Sequence, residues 1–395
     1  MDAYTAPMPP TVAYLALGKV RIKEPGKPSR LLDSPYATTI HERAVRSQQR
    51  HSWKSGDGGG FLSGPMLWGG AGANPGPPPV LITSICRGTG QRQLTYSLES
   101  GTLCALLKAE NLGEEEARLW NDNQTSIIHV DTCPRTGDHC MSVQHENGTA
   151  NIGVMIQDET GVMEGTEGDS VDTAPRWVPG DERRLVYQSA GVGRDREGNF
   201  GGFGPFSIEL LNIDTADLET LAQDRRFDHV APRMTADGDL FFIRRPWNEH
   251  ARIRPVPFLK DFFMLPLRVL YAFFQWLNFF SMSYTGKKLT TSGGPGQPGP
   301  DLKQMRIWGN VVAAQNDSDS PDQQELIPKS WQLIRRDRSG KETILAKAVL
   351  AYDLLPDGGI VYSTGAAVHH LSPAGKSEKL FTDEMIEQVV AIPET

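Results

Sequence analysis

Two stretches of the chain repeat one another. DTAPRWVPGDERRLVYQSAG, from Asp172, and HVAPRMTADGDLFFIRRP, from His229, share one order of events. Each has an extended run, a tight turn with Gly and Asp, and an alternating apolar strand, which is the signature of a β-hairpin. VLAYDLLPDGGIVYSTG, from Val349, is a third copy. ITSICRGTGQRQLTYSLE, from Ile82, and HVDTCPRTGDHCMSVQHE, from His129, match each other. A hairpin that recurs must bury its apolar face against its own copies, so the repeat decides the fold before any single motif does.

The residues leading the five turns, Arg87, Pro134, Pro179, Ala236 and Pro356, lie 47, 45, 57 and 120 residues apart. A four-stranded propeller blade needs about 40–45 residues. The two long gaps contain additions: a Gly-rich loop at 191–204 and a long segment at 249–328. The chain ends in EQVVAIPET with no hairpin partner, while VAYLALG, KVRIKE and SRLLDS lie between Val12 and Ser34. A C-terminal strand joining three N-terminal ones completes a sixth unit and leaves no exposed sheet edge. The expected fold is therefore all-β: one domain over 1–395, a six-bladed β-propeller closed by N- and C-terminal strands sharing one blade. It carries a helical apolar insertion and a further addition at 34–79, a basic helix with a Gly/Pro-rich loop. Composition agrees: 38% hydrophobic residues with 40 Gly and 28 Pro favour short strands and many turns over long helices.

The hairpins have the form Pro-x-apolar-x-x-Asp-Gly followed by an apolar strand, and in this they resemble the WD-like repeats of TolB-type six-bladed propellers. The resemblance covers most of the ring and is strongest in the copies from Asp172 and His229. It implies the propeller fold and a family of binding scaffolds, peptidase-associated domains and a few enzymes, so activity does not follow from it.

In a four-stranded meander the second–third and fourth–first connections share one face of the ring. The additions at 191–204 and 249–328 fall between second and third strands, and that at 34–79 follows a fourth strand, so all three are expected on one face.

The segment Phe262–Met282 is the chain's most apolar stretch, with Arg268 its single charge. A bilayer span is disfavoured, since it would put two strands of one blade on opposite sides of a membrane. As a helix it has a narrow polar stripe and a broad apolar face with Phe262, Phe263, Leu270, Phe273, Phe274, Trp276, Leu277 and Phe280. Residues between His250 and Arg306 carry net +6 and those of 34–54 net +3, within a chain of net −8. Arg43, Arg46, Arg50 and Lys54 line one face of an expected helix over Ala37–Trp53, and Lys287 and Lys288 flank the apolar segment. Basic flanks beside an aromatic-rich helix suit an anionic membrane surface. The same face also suits a protein partner or a second copy of the chain, or burial under the 34–79 addition.

Aligning the hairpins puts Ser84, Asp131, Arg176, Arg233, Asp353 and Val390 in one column of the innermost strands. Two Asp and two Arg facing a channel can hold a small polar ligand or neutralise one another as a pore-filling ion ring. Asp172, Asp228 and His229 are expected near the channel mouth, the arrangement a lactonase-like hydrolase would use for acid–base work. Two arginines in the column disfavour a metal, and no cofactor motif is present: Gly286-Lys287-Lys288 lacks the upstream Gly of a phosphate loop, and G-x-S-x-G and H-E-x-x-H do not occur. The net charge of −8 argues against nucleic acid as a partner. Four cysteines and an N-terminus without a basic-then-apolar signal fit a cytoplasmic protein, attached at the inner face of the membrane if the helix meets lipid. The resulting expectation is a non-enzymatic binding scaffold without cofactor or metal.

Overall fold

The computed structural model describes residues 9–55, 78–247 except 146, 160, 181–182 and 195–199, then 304–307, 310–313 and 327–393. The chain divides into two compact units. One is Met1–Asp33 with Leu81–Ala251 and Lys303–Thr395; the other is Ser34–Val80 with Arg252–Leu302. The apolar segment and its flank, with Phe262, Phe263, Arg268, Leu270, Phe273, Phe274, Trp276, Leu277, Phe280, Lys287 and Lys288, lie outside the described residues.

The first unit is built of antiparallel strands. The N-terminal ones are β1 (Thr11–Ala16), β2 (Lys19–Lys23) and β3 (Arg30–Leu31). Next come β4 (Leu81–Arg87), β5 (Leu94–Ser100), β6 (Leu103–Glu110) and β7 (Glu115–Asp122), one four-stranded sheet in that order. A larger sheet follows, from β8 (Ser126–Thr132), β9 (His139–Gln144), β10 (Ala150–Met155) and β11 (Met163–Glu164) to β12 (Ser170–Trp177), β13 (Arg184–Arg194), β14 (Phe200–Phe203), β15 (Ser207–Asn212) and β16 (Leu218–Ala222). Among the described residues its two halves share one ladder pair, the parallel Ala150↔Val171.

Strands β17 (Phe227–Met234) and β18 (Leu240–Pro246) precede a short hairpin, β19 (Gln304–Ile307) with β20 (Asn310–Ala313). Then come β21 (Gln332–Arg336) and β22 (Glu342–Lys347), and β17-β18-β21-β22 is a sheet. The last strands are β23 (Ala351–Leu354), β24 (Ile360–Ser363), β25 (Ala367–Leu371), β26 (Ser377–Thr382) and β27 (Ile386–Ile392). The first four form a sheet, while β27 pairs with β1 from Thr11↔Ile392 to Ala16↔Ile386. The end of the chain thus shares a sheet with its beginning, in the order β27-β1-β2-β3.

Alternation explains these strands. Val178, Val186, Ile208, Leu210, Leu240, Phe242 and Ile334 interlock as one cluster between neighbouring sheets. Burial of side chains this large contributes about 2 kcal/mol each. Tyr14 donates to Asp383 at 2.6 Å, and Arg21 pairs with the same carboxylate at 3.1 Å, which ties β1 and β2 to the residues entering β27.

The Gly-rich stretch at 191–204 departs from the expected loop. Strand β13 runs on to Arg194 and pairs with β14, Val192↔Phe203, as a hairpin extension. Phe203 packs, partly buried, against the buried cluster of Phe206, Val230 and Trp331.

In the second unit, the described secondary structure is helix α1 (Pro35–Ser55). Ser34 caps it, its Oγ accepting from the Ala37 amide at 3.1 Å, and Pro35 stands at the first helical position, where its missing N–H costs nothing. Arg43 and Arg46 are exposed, and Arg46 pairs with Glu42 one turn back at 3.0 Å. The side chains of Arg50 and Lys54 lie outside the described residues.

Candidate functional site

Strands β4, β8, β12, β17 and β23 each open one of the repeated hairpins, and β27 pairs with β1. Strands β12 and β17 share the sequence Ala-Pro-Arg and share a β-bulge there. Ala174 and Pro175 oppose Tyr187 alone, and Ala231 and Pro232 oppose Phe242 alone. Ala174 and Ala231 have φ of 53° and 54°, left-handed values that a bulky residue before proline would tolerate poorly. A bulge re-aims the side chain that follows it. Here that residue is Arg176 in one strand and Arg233 in the other.

Both arginines reach carboxylates. Arg176 Nη1 lies 3.1 Å from Asp131 Oδ1, and Arg233 Nη1 lies 3.0 Å from Asp353 Oδ1. Arg87, at the end of β4, adds a third guanidinium, 3.0 Å from Asp353 Oδ2. Burial pushes the Asp353 carboxyl up, but Arg233, Arg87 and the Ala391 amide outweigh it and hold the group below its ordinary value. Burial of Arg233 pulls its guanidinium down despite Asp353. The cluster is not a neutral ring of two Asp and two Arg, because Arg87 gives the described residues three guanidinium groups against two carboxylates.

The expected column also needs one change. Counting back from the pair that closes each hairpin, Asp131, Arg176, Arg233 and Asp353 are each one residue before Thr132, Trp177, Met234 and Leu354. The equivalent residue before Arg87 in β4 is Cys86, not Ser84. The turn leader matching Pro134 is Thr89, 45 residues earlier, so the spacing is more regular than Arg87 suggested. Cys86 is buried, with its sulfur 3.4 Å from Thr132 Oγ1, and burial pushes its thiol up to about 12.

Side chains carry hydrogen bonds from one hairpin of the repeat to the next. Ser84 Oγ accepts the Val130 amide at 3.1 Å, and Asp131 Oδ2 accepts the Trp177 amide at 3.0 Å. Gln188 Oε1 accepts the Ala231 amide, and the Tyr352 hydroxyl donates to the Ala231 carbonyl, both at 2.7 Å. Asp353 Oδ2 accepts the Ala391 amide at 2.8 Å, and Gln388 Oε1 accepts the Ile85 amide at 2.9 Å. The last bond leads from β27 back to β4. Sequence reasoning missed Gln188, Tyr352 and Gln388, since an isolated polar residue in an apolar strand does not announce its partner.

Asp172, Asp228 and His229 do not pool with the arginines. Asp172 is buried and accepts from Ser189 Oγ at 2.6 Å; burial pushes its carboxyl up. Asp228 is buried with Arg245, 2.9 Å away, and also accepts the Phe206 amide. His229 sits edge-on to Phe242, and burial lowers its ring to about 4. Each has its own partner within the sheets. Among the described residues no three His, Cys, Asp or Glu stand close enough to hold a metal ion, and no helix is long and apolar enough to cross a membrane.

A cavity of about 280 Å³ borders the cluster at Arg87 and is lined by the turn Gly88–Gln93 with Ile392 and Pro393. Gln93 fills the inside of this turn, accepting the Gly90 amide at 3.1 Å through its Oε1.

No family model and no curated protein matches the chain in sequence. Solved structures do match in shape. TolB from Acinetobacter baumannii superposes with a TM-score of 0.51 at 11% identity, covering 98% of this chain and 68% of that one. The nidogen/laminin complex matches with a TM-score of 0.49 at 8% identity, covering 98% and 99%. A putative TolB from Agrobacterium tumefaciens matches with 0.41 at 11%, covering 78% and 85%. At these identities the likeness concerns the fold alone, and the fold is that of β-propeller proteins.

Proposed function

We propose that the chain is a closed six-bladed propeller acting as a non-enzymatic binding scaffold, held at the cytoplasmic face of a membrane by the segment at 249–328. The blades are β27-β1-β2-β3, β4–β7, β8–β11, β12-β13-β15-β16, β17-β18-β21-β22 and β23–β26. The circuit of side-chain bonds that returns from Gln388 to Ile85 supports closure.

The observation that carries the reading is the pairing of β18 with β21. Leu240↔Arg336 through Arg244↔Gln332 stay in register although 250–325 intervene. A segment that enters and leaves between two paired strands without disturbing them is an appendage, available for contact with something else. Its sequence says what: an aromatic-rich apolar stretch with basic flanks favours an anionic lipid surface. A binding role over catalysis is supported by the two channel carboxylates, since Asp131 and Asp353 are already engaged by arginines and backbone amides.

Vesicle flotation tests this. The full chain is expected to float with vesicles containing anionic lipid, and the double variant Phe273→Asp, Phe280→Asp to stay at the bottom of the gradient. A wild-type chain that never floats overturns membrane attachment. A double variant that becomes monomeric from a dimer while flotation is unchanged would assign the segment to self-association.

A further inference from the structure

We propose that Arg176 and Arg233 form a binding site for a single carboxylate group carried by a small ligand. Four observations lead there. The first is stoichiometry: Arg87, Arg176 and Arg233 face only Asp131 and Asp353, leaving one positive charge without a partner among the described residues. The surrounding titratable groups do not supply the missing charge. Burial pushes the Cys86 and Cys140 thiols up and keeps the His129 and His139 rings neutral, at about 3 and 4.

The second observation is saturation of the acceptors. Asp131 takes Arg176 on one oxygen and the Trp177 amide on the other. Asp353 takes Arg233 and the Leu354 amide on one, Arg87 and the Ala391 amide on the other. The third is the donors left over. Arg87 spends its other bonds on the Ala391 and Leu354 carbonyls, at 2.6 and 2.7 Å. Arg176 and Arg233 each engage a carboxylate through Nη1 alone, so Nε and Nη2 of both have no protein partner among the described residues. The fourth is access, as their side chains keep 14% and 19% exposure.

The strands β12 and β17 that bring in the two arginines are held together through β13, whose Gln188 donates to Thr173 of β12 and accepts the Ala231 amide of β17. Planar guanidinium donors match the two oxygens of a carboxylate. A single negative charge neutralises the excess, whereas a phosphate dianion would leave a surplus of negative charge beside Asp131 and Asp353. The excess positive charge also repels a metal ion. Tyr352, whose ring lies 5.8 Å under Arg233, offers an apolar wall beside the site. The inference deepens the scaffold reading and rests on it in taking this cluster to face the axial channel.

Acetate titrated into the full chain at constant ionic strength, with fluoride as the balancing anion, tests the proposal by calorimetry and thermal shift. Saturable one-to-one binding is expected for acetate and none for acetamide, which has the same shape without the charge. Arg233→Gln should weaken acetate at least tenfold. Arg194→Gln, whose guanidinium is already forked on Asp169 elsewhere, should leave it unchanged. Should Arg233→Gln not fold, Arg233→Lys keeps the charge and loses the planar donor pair, and the wild-type contrast of acetate with acetamide stands by itself. No saturable acetate effect, equal binding of acetamide, or full affinity in a folded Arg233 variant each overturns the site. A tripeptide with a free C-terminus separates the sources: binding like acetate admits a chain terminus, and failure beside good acetate binding assigns a small acid. Vesicle flotation does not depend on any of these outcomes, so the carboxylate site and the membrane reading fail separately.

Discussion

Asp131 on β8 accepts the backbone amide of Trp177 on β12 at 3.0 Å and pairs with Arg176 beside it. One carboxylate thus joins the two halves of the larger sheet across 46 positions of the sequence. Inner strands do not share a ladder, so their amides need acceptors from a neighbour, and a short acidic side chain reaches across.

Asp131→Ala is expected to destabilise the protein by about 3–5 kcal/mol, because it leaves Arg176 buried without its counter-charge. Asp131→Asn keeps an acceptor for the Trp177 amide and should cost less, about 1–3 kcal/mol. Urea unfolding of the two variants checks the order; an alanine variant as stable as wild type would remove the bridge from the account.

Asp383→Ala removes the acceptor shared by Tyr14 and Arg21. The expected loss is about 1–3 kcal/mol, from one buried hydroxyl bond and one half-exposed pair. Tyr14→Phe alone should reproduce most of that loss if the hydroxyl bond dominates, as a thermal melt would show.

The pH dependence has two opposing parts. His129, His139 and His229 are lowered to about 3, 4 and 4 by burial, so the unfolded chain takes up three protons near pH 6.5 that the folded chain refuses. Their contribution is present above pH 6.5 and lost as pH falls towards 4. Glu387 runs the other way. Burial raises its carboxyl to about 7, so it favours the folded state at low pH and this contribution is lost as pH rises from about 4.5 to 7. Around pH 5.5 the histidines outnumber it, and stability should rise with pH by about 2–3 kcal/mol per unit. Glu387→Gln should steepen that slope and stabilise the protein at pH 8 by about 3 kcal/mol. Chemical denaturation across pH 4.5–8 measures both effects, and a slope of opposite sign at pH 5.5 would contradict the burial of these rings.

The hairpins were legible because each is closed by a local turn, and turns are written in Gly, Pro and Asp. The Ala-Pro-Arg repeat was legible as similarity, though not as a bulge. The column failed at β4 for a definable reason: its turn, RGTGQRQ, has no proline, and taking Arg87 as the leader moved the assignment two residues early, from Cys86 to Ser84. Asp172 and His229 carry the residue types of a catalytic mouth, yet long-range packing against Ser189 and Phe242 decides where they sit. Arg87 was read as a turn residue, and only the pairing with Asp353, 266 positions away, makes it part of the site.

Replacing 250–325 by a short turn removes the β19-β20 hairpin and should leave the other sheets intact, because Trp247 is bonded to Arg226 and Ile327 is buried in the core on the far side of the cut. The shortened chain is expected to melt within a few degrees of wild type and to lose vesicle binding. A cut that unfolds the protein would mean that the segment is part of the core.

Closure through β27 is the claim on which the ring depends, and amide hydrogen exchange reads it directly. In the full chain the amides of β1 and β27 are expected to exchange together, at the rate of global unfolding. In a chain truncated after Glu384, β1 should lose that protection and the remaining sheets should weaken with it. Unchanged protection of β1 and of the other inner strands after truncation would contradict a ring closed by its two ends.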